Sequence, residues 1–263
     1  MIPKRTLGGT DMAVSVIGLG TVKIGRNQQV HYPAGFELPT DKAILNLLAC
    51  AKELGINLLD TAPAYGSSEE RLGSLLKNDR AEWILSTKVG EEFVNGASHF
   101  DFSAAAIRHS VERSLKRLKT DYLDIVLVHS NGEDKTLIEE RDVFATLAEL
   151  KTAGLIRSFG MSTKTVEGGL MAVNHSDIVM VTHNPTYTAE QSVITYAHQK
   201  HKGIFIKKAL ASGHLQKISE QGDPVALAMQ CIFQEPGVSS VIVGTLNPDH
   251  LKQNVLSAEP FVR

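Results

Sequence analysis

Short apolar runs alternate with longer amphipathic stretches along the chain. The runs cover residues 15–19, 56–59, 83–86, 123–128, 156–159, 178–181, 204–206 and 241–243. Several are rich in Val and Ile and too apolar to leave one face in water, which predicts strands of a parallel sheet buried on both sides. Between the runs the spacing turns helical. Ala43, Leu45, Leu47, Leu48 and Ala51 mark one helix, and Ala106, Ile107, Val111, Leu115 and Leu118 another. Asp101 or Ser103 can cap the second near residue 104, while Asn247, Pro248 and Asp249 form a helix start close to the end of the chain. Eight strand and helix units in about 250 residues are what a closed (β/α)8 TIM barrel requires, with an open doubly wound sheet as the alternative. Gly8 and Gly9, between short extended pieces, predict a β-hairpin ahead of the barrel.

Composition narrows the function classes. A chain of 263 residues, 43% hydrophobic, can bury a large core, and no Pro/Gly/Ser-rich linker divides it, so residues 1–263 read as one domain. The 27 basic and 29 acidic residues are interspersed, which leaves no electrostatic footprint for nucleic acid or an anionic membrane. A small molecule is the expected partner. The N-terminal stretch lacks the apolar core of a signal peptide, and no run approaches the roughly 18 apolar residues of a membrane span, so a cytoplasmic location is expected. Cys50 and Cys231 lie in predicted helices with no CxxC partner and read as buried packing residues, a disulfide being the lesser alternative. Nothing in the sequence sets an oligomeric state, and a monomer is compatible with it.

The ends of the apolar runs are polar, and in a barrel those ends form the functional face. The second run continues into Asp60, Thr61, Ala62, Pro63, Ala64, Tyr65 and Gly66; the third ends at Lys88 and the fourth at His129. A carboxylate, a phenol, an ammonium and an imidazole suit carbonyl reduction, because a hydride arriving at carbon leaves negative charge on oxygen that must be stabilised and protonated. Tyr65 is the natural acid. Lys88 would lower its pKa from about 10, Asp60 would orient Lys88, and His129 would donate a hydrogen bond to the substrate oxygen. No metal is required. Taken singly, each polar residue could cap a helix or pair with a neighbour, and Tyr65 could be a core aromatic. Their joint placement favours chemistry.

The stretch from Asn57 to Gly66, with Leu85 to Lys88 and Asp124 to His129, resembles the aldo-keto reductase superfamily. Asp60, Tyr65, Lys88 and His129 match that family's catalytic tetrad without substitution. The resemblance implies a (β/α)8 barrel and reduction of an aldehyde or ketone with NADPH, or NADH, as hydride donor. It also implies cofactor contacts. Gly20 and Thr21 fall near the nicotinamide ribose, and Ser162 and Thr163 stand where Ser-Asn usually holds the carboxamide. His183 replaces a common glutamine. Lys207 replaces a stacking tyrosine and could meet the cofactor, a substrate carboxylate or solvent. Leu210, Ser212 and Gly213 resemble the pyrophosphate-side loop.

Gly244, Thr245 and Asn247, with Gln253 and Asn254, surround a helix start whose free N–H groups and dipole can receive a phosphate. His250 occupies the position of an arginine that commonly grips the 2′-phosphate, and a neutral histidine does so weakly. The alternative function is a cofactor-binding, redox-sensing module on the same scaffold. Gly18 and Gly20 begin like a dinucleotide fingerprint, but Lys23 takes the third glycine position and no helix is expected there. Tyr65 and Lys88 are too far apart for a Tyr-xxx-Lys pair, and no Gly-x-Ser-x-Gly elbow is present. The irregular stretch 23–39, with His31, Tyr32 and Phe36, would line the pocket or pack on its rim. The segment after Gly213, through His214 and Gln216, reads as a trimmed loop and an open site.

Overall fold

The computed structural model describes residues 1–30, 32–141, 143–214 and 222–262. His31 and Gln216 lie outside these. An antiparallel hairpin of β1 (Lys4–Thr6) and β2 (Ala13–Ser15) opens the chain. The strands β3 (Ile17–Gly20), β4 (Leu58–Asp60) and β5 (Ile84–Val89) follow. A second hairpin, β6 (Glu91–Val94) and β7 (Ala97–Phe100), then intervenes. Next come β8 (Leu123–His129), β9 (Ile156–Ser162), β10 (Ile178–Thr182), β11 (Gly203–Lys207) and β12 (Ser240–Val243). Strands β3, β4, β5, β8, β9, β10, β11 and β12 pair in parallel in that order, and β12 pairs back with β3 to close the barrel.

Among the described residues the helices are α1 (Val22–Gly25), α2 (Asp41–Glu53), α3 (Ser68–Leu75), α4 (Ala104–Leu118), α5 (Asp134–Glu139), α6 (Val143–Thr152), α7 (Val166–His175), α8 (Gln191–Gln199), α9 (Pro224–Phe233) and α10 (Pro248–Ala258). The caps are chemical. Thr40 accepts from the Ala43 N–H at the head of α2, Ser103 from Ala106 at α4, and Asn247 from Asp249 at α10, where Pro248 occupies the first position. Of the two candidates at α4, Ser103 is the cap, and Asp101 instead receives the Ser103 N–H. The one-turn α1 does begin where none was expected, although the sheet closes and so no dinucleotide crevice of the open type forms.

Two apolar clusters hold the fold. The outer one lies between strands and helices, and the inner one fills the barrel with Leu58, Ile125, Leu127, Ile178, Met180 and Phe205. Leu7, Met12 and Val14 of the first hairpin join the inner cluster. The hairpin thus plugs the barrel floor and leaves the C-terminal mouth of the strands as the open end. Gly8 is required there: φ is +54°, and a Cβ would sit 2.3 Å from the Gly203 nitrogen. Cys50 is buried as expected, whereas Cys231 is only half-buried; both are free thiols. No described helix is long and apolar enough to cross a membrane.

Candidate active site

Strand alternation decides which side chains reach the mouth. In β8, Ile125 and Leu127 face the inner cluster while Val126 and Val128 face the outer one, so His129 continues the inward row. By the same period of two, Asp60 follows Leu58, and Lys207 follows Phe205. Register then joins neighbours at the rim. Gly20 pairs with Asp60, His129 with Ser162, and Thr182 with Lys207. The last inward position of successive strands is therefore polar, above a floor of apolar residues.

Lys88 is among the most deeply buried side chains, at 1% exposure. Its ammonium donates to both Asp60 oxygens, at 2.9 and 2.8 Å, and to the Thr61 carbonyl at 2.9 Å. Ser86 Oγ donates to Asp60 Oδ1 at 3.0 Å. Burial lowers the Lys88 pKa, but Asp60 and Tyr65 more than reverse it, so Lys88 stays charged.

Tyr65 ends a single 3-10 turn, Pro63–Tyr65, directly after β4. The turn is locked. Gly66 has φ +61°, and a Cβ there would lie 2.2 Å from the Gly25 oxygen, while Arg26 Nη1 donates to the Ala64 carbonyl at 3.0 Å. Lys88 Nζ sits 4.8 Å from the Tyr65 ring centroid, and the His129 ring meets Tyr65 edge-on at 6.2 Å. The expected lowering of the phenol pKa does not result. Burial raises it, the Lys88 charge pulls it down, and Asp60 raises it again, with a net rise. Burial of the phenol outweighs the Lys88 charge, which Asp60 also opposes, and the phenol stays protonated.

His129 is held neutral: burial lowers its pKa, Glu91 pushes back, and the Lys88 and Lys207 charges lower it further. Glu91 escaped the sequence reading. Its Oε2 lies 2.8 Å from His129 Nδ1, and its Oε1 accepts from Ser98 Oγ at 2.6 Å. Burial would raise the Glu91 pKa, but His129, Ser98 and Arg26 together hold it down to about 2.

Lys207 does not project into solvent. Its ammonium donates to Ser162 Oγ at 2.8 Å and to the Thr163 carbonyl at 2.6 Å. Burial lowers its pKa to about 8, with Glu190 opposing and Lys208 and Lys164 assisting. An unfolded lysine titrates near 10.5. Between about 8 and 10.5 the unfolded chain therefore binds more protons, and the Lys207 contribution makes the fold more stable as pH rises through that window and is flat below it. Urea unfolding from pH 7 to 10 should show this portion of the slope in the wild type and lose it in Lys207→Met.

The aldo/keto reductase family matches residues 16–226. The chain belongs to this family. A solved Pseudomonas aeruginosa protein named as an aldo-keto reductase is 52% identical, covers 99% of this chain and 96% of its own, and superposes with a TM-score of 0.90. The uncharacterized oxidoreductase YqkF of Bacillus subtilis is 30% identical over 97% of this chain and 90% of its own length. An NADH-specific methylglyoxal reductase of Escherichia coli is 35% identical over 60% of this chain and 51% of its own.

Aldo/keto reductases use a nicotinamide cofactor, and the donor set here fits one. Thr163 Oγ1 and His183 Nδ1 are buried and have no hydrogen-bond partner among the described residues. Two orphan polar atoms at adjacent strand ends are costly unless a ligand amide meets them. His183 Nε2 faces away, 3.9 Å from both Cys231 Sγ and Glu235 Oε1. Gly20 and Gly244 keep the rim open: a Cβ on Gly244 would come within 3.3 Å of the Tyr32 hydroxyl. Tyr32 thus reaches across the mouth, with Lys23 Nζ 4.0 Å from its ring centroid and Phe36 beside it, and Pro33 approaches Gly213.

The other candidates divide. Leu210 and Ser212 lie in a turn where Ala211, Ser212 and Gly213 all have positive φ; the Ala211 and Gly213 N–H groups close backbone hydrogen bonds to Lys208 and Leu210 within it. Asn247 spends its side chain capping α10, and Gln253 is bonded to Asp223 and Ser257. His250 is exposed on the first turn of α10; Thr245 and Asn254 are buried beside it. Thr21 is fully buried. Its hydroxyl donates to the Asp60 carbonyl and accepts from Ser68, so its work is to brace the loop beneath Asp60.

Proposed function

We propose that this aldo/keto reductase reduces the carbonyl of a small aldehyde or ketone to the alcohol, with Asp60, Tyr65, Lys88 and His129 as its catalytic group. The observation that carries the reading is a wholly buried Lys88–Asp60 pair placed beside a phenol and an imidazole at the open end of the barrel. A bound NADPH or NADH supplies the hydride. Tyr65, kept protonated by burial, gives its proton to the oxygen that gains charge, and Lys88 stabilises the phenolate left behind. Asp60 fixes Lys88 in place, and His129 contacts the substrate oxygen.

Gly20, Thr163 and His183 would hold the nicotinamide end, with Lys207 and Ser162 standing where an aromatic face is absent. The turn at Leu210, Ser212 and Gly213, and the α10 start around Gly244, Thr245, Asn247 and His250, take the phosphates. Absorbance at the reduced cofactor's band, with NADPH and NADH in parallel and a panel of activated aldehydes and ketones, tests the reading. Turnover is expected; tight cofactor binding without turnover of any carbonyl overturns it. His250→Arg is expected to raise the NADPH-to-NADH ratio of kcat/KM about tenfold, since a charge-assisted bond to the 2′-phosphate is worth about 1.5 kcal/mol or more.

A further inference from the structure

Glu91 begins the second hairpin, an insertion between β5 and α4 that the barrel itself does not need. The hairpin turns at Asn95 and Gly96, both with positive φ, and its return strand brings Ser98 against Glu91. One carboxylate oxygen is thereby bound within the hairpin and the other is aimed at the barrel mouth, 2.8 Å from His129 Nδ1. The oxygen lies off the line of the N–H bond, and no other described residue serves Nδ1. An unprotonated Nδ1 only 2.8 Å from a carboxylate oxygen would be repelled by its charge even off that line, whereas an N–H is attracted to it, which favours the proton on Nδ1.

We propose that Glu91 is the positioning residue of His129: it fixes the Nδ1–H tautomer, so that Nε2 meets the substrate as an acceptor in the neutral ring and as a donor only after taking a second proton from solvent. The inference rests on the catalytic placement of His129 proposed above. A carbonyl oxygen offers only lone pairs and a neutral Nε2 cannot hold it, whereas the hydroxyl of an alcohol can donate to that nitrogen. Reduction therefore favours the imidazolium and oxidation the neutral ring. The groups that set this balance are Glu91 from β6, which favours the imidazolium, and Lys88 from β5 and Lys207 from β11, which oppose it. Tyr65 stacks edge-on, Asp60 is taken up by Lys88, and Arg26, lying 3.6 Å over the Phe93 ring of β6, supports the Glu91 carboxylate.

Two-bond 1H–15N spectra of the full chain carrying ring-labelled histidine, with the His129 signals assigned by loss in His129→Gln, read the tautomer without any turnover. Protonated Nδ1 and bare Nε2 are expected at pH 8. A ring protonated on Nε2 overturns the proposal while leaving the reductase reading intact. Absence of turnover with the expected tautomer would instead count against the reductase reading alone. In Glu91→Gln, which keeps the shape and removes the charge, the His129 titration midpoint should move down by about one pH unit or more, and with it the limb over which kcat/KM for reduction falls as pH rises. Superimposable titrations overturn the charge coupling.

Discussion

Tyr65→Phe is expected to lower carbonyl turnover by about 10²- to 10⁴-fold, the usual range for a lost general acid. Cofactor affinity should stay within about twofold, because the orphan acceptors and donors assigned to the nicotinamide, at Thr163 and His183, do not touch the phenol. Stability should change little. The ring remains, so Lys88 keeps its place 4.8 Å from the centroid, and the three hydrogen bonds it gives to Asp60 and Thr61 are untouched. Single-turnover oxidation of the reduced cofactor, with binding measured by its fluorescence, separates the two effects. Unchanged turnover would remove Tyr65 as the proton source. Residual turnover that grows at acid pH would point to the His129 imidazolium as a secondary donor, consistent with the role assigned to Glu91.

Much of this site was legible before folding, and the errors have physical causes. All eight apolar runs became barrel strands, and Asp60, Lys88 and His129, expected at strand ends, fall at or within one residue of the ends of β4, β5 and β8. Apolar patterning by itself says little beyond the runs, where the inward rim positions are polar. The second hairpin was missed for a related reason. Asn95–Gly96 is a strong turn signal, yet its flanks, Glu91–Val94 and Ala97–Phe100, carry polar residues on a hairpin outside the barrel. Glu91 was lost with it. The sign of the Tyr65 shift was out of reach from sequence, since it depends first on how deeply the phenol is buried and then on how far Asp60 opposes Lys88. Lys207 could have turned either way along the chain; only the barrel's inward alternation directs it to Ser162.

Lys88→Met should be the most damaging single substitution for stability. The ammonium is wholly buried, and its loss leaves the Asp60 carboxylate in the barrel with Ser86 as its remaining side-chain donor. Breaking one side of a buried pair costs about 3–5 kcal/mol, so the urea midpoint should fall steeply with an unchanged m value, and turnover should be lost. The double variant Asp60→Asn with Lys88→Met removes the stranded charge. It should recover part of the stability, because an amide can be held by Ser86 where a carboxylate cannot be desolvated cheaply. Turnover should not return with it, since nothing then stabilises the phenolate of Tyr65. Recovery of both together would mean that Lys88 only holds the fold. Recovery of stability alone separates the charge that shapes the mouth of the barrel from the charge that the reaction uses.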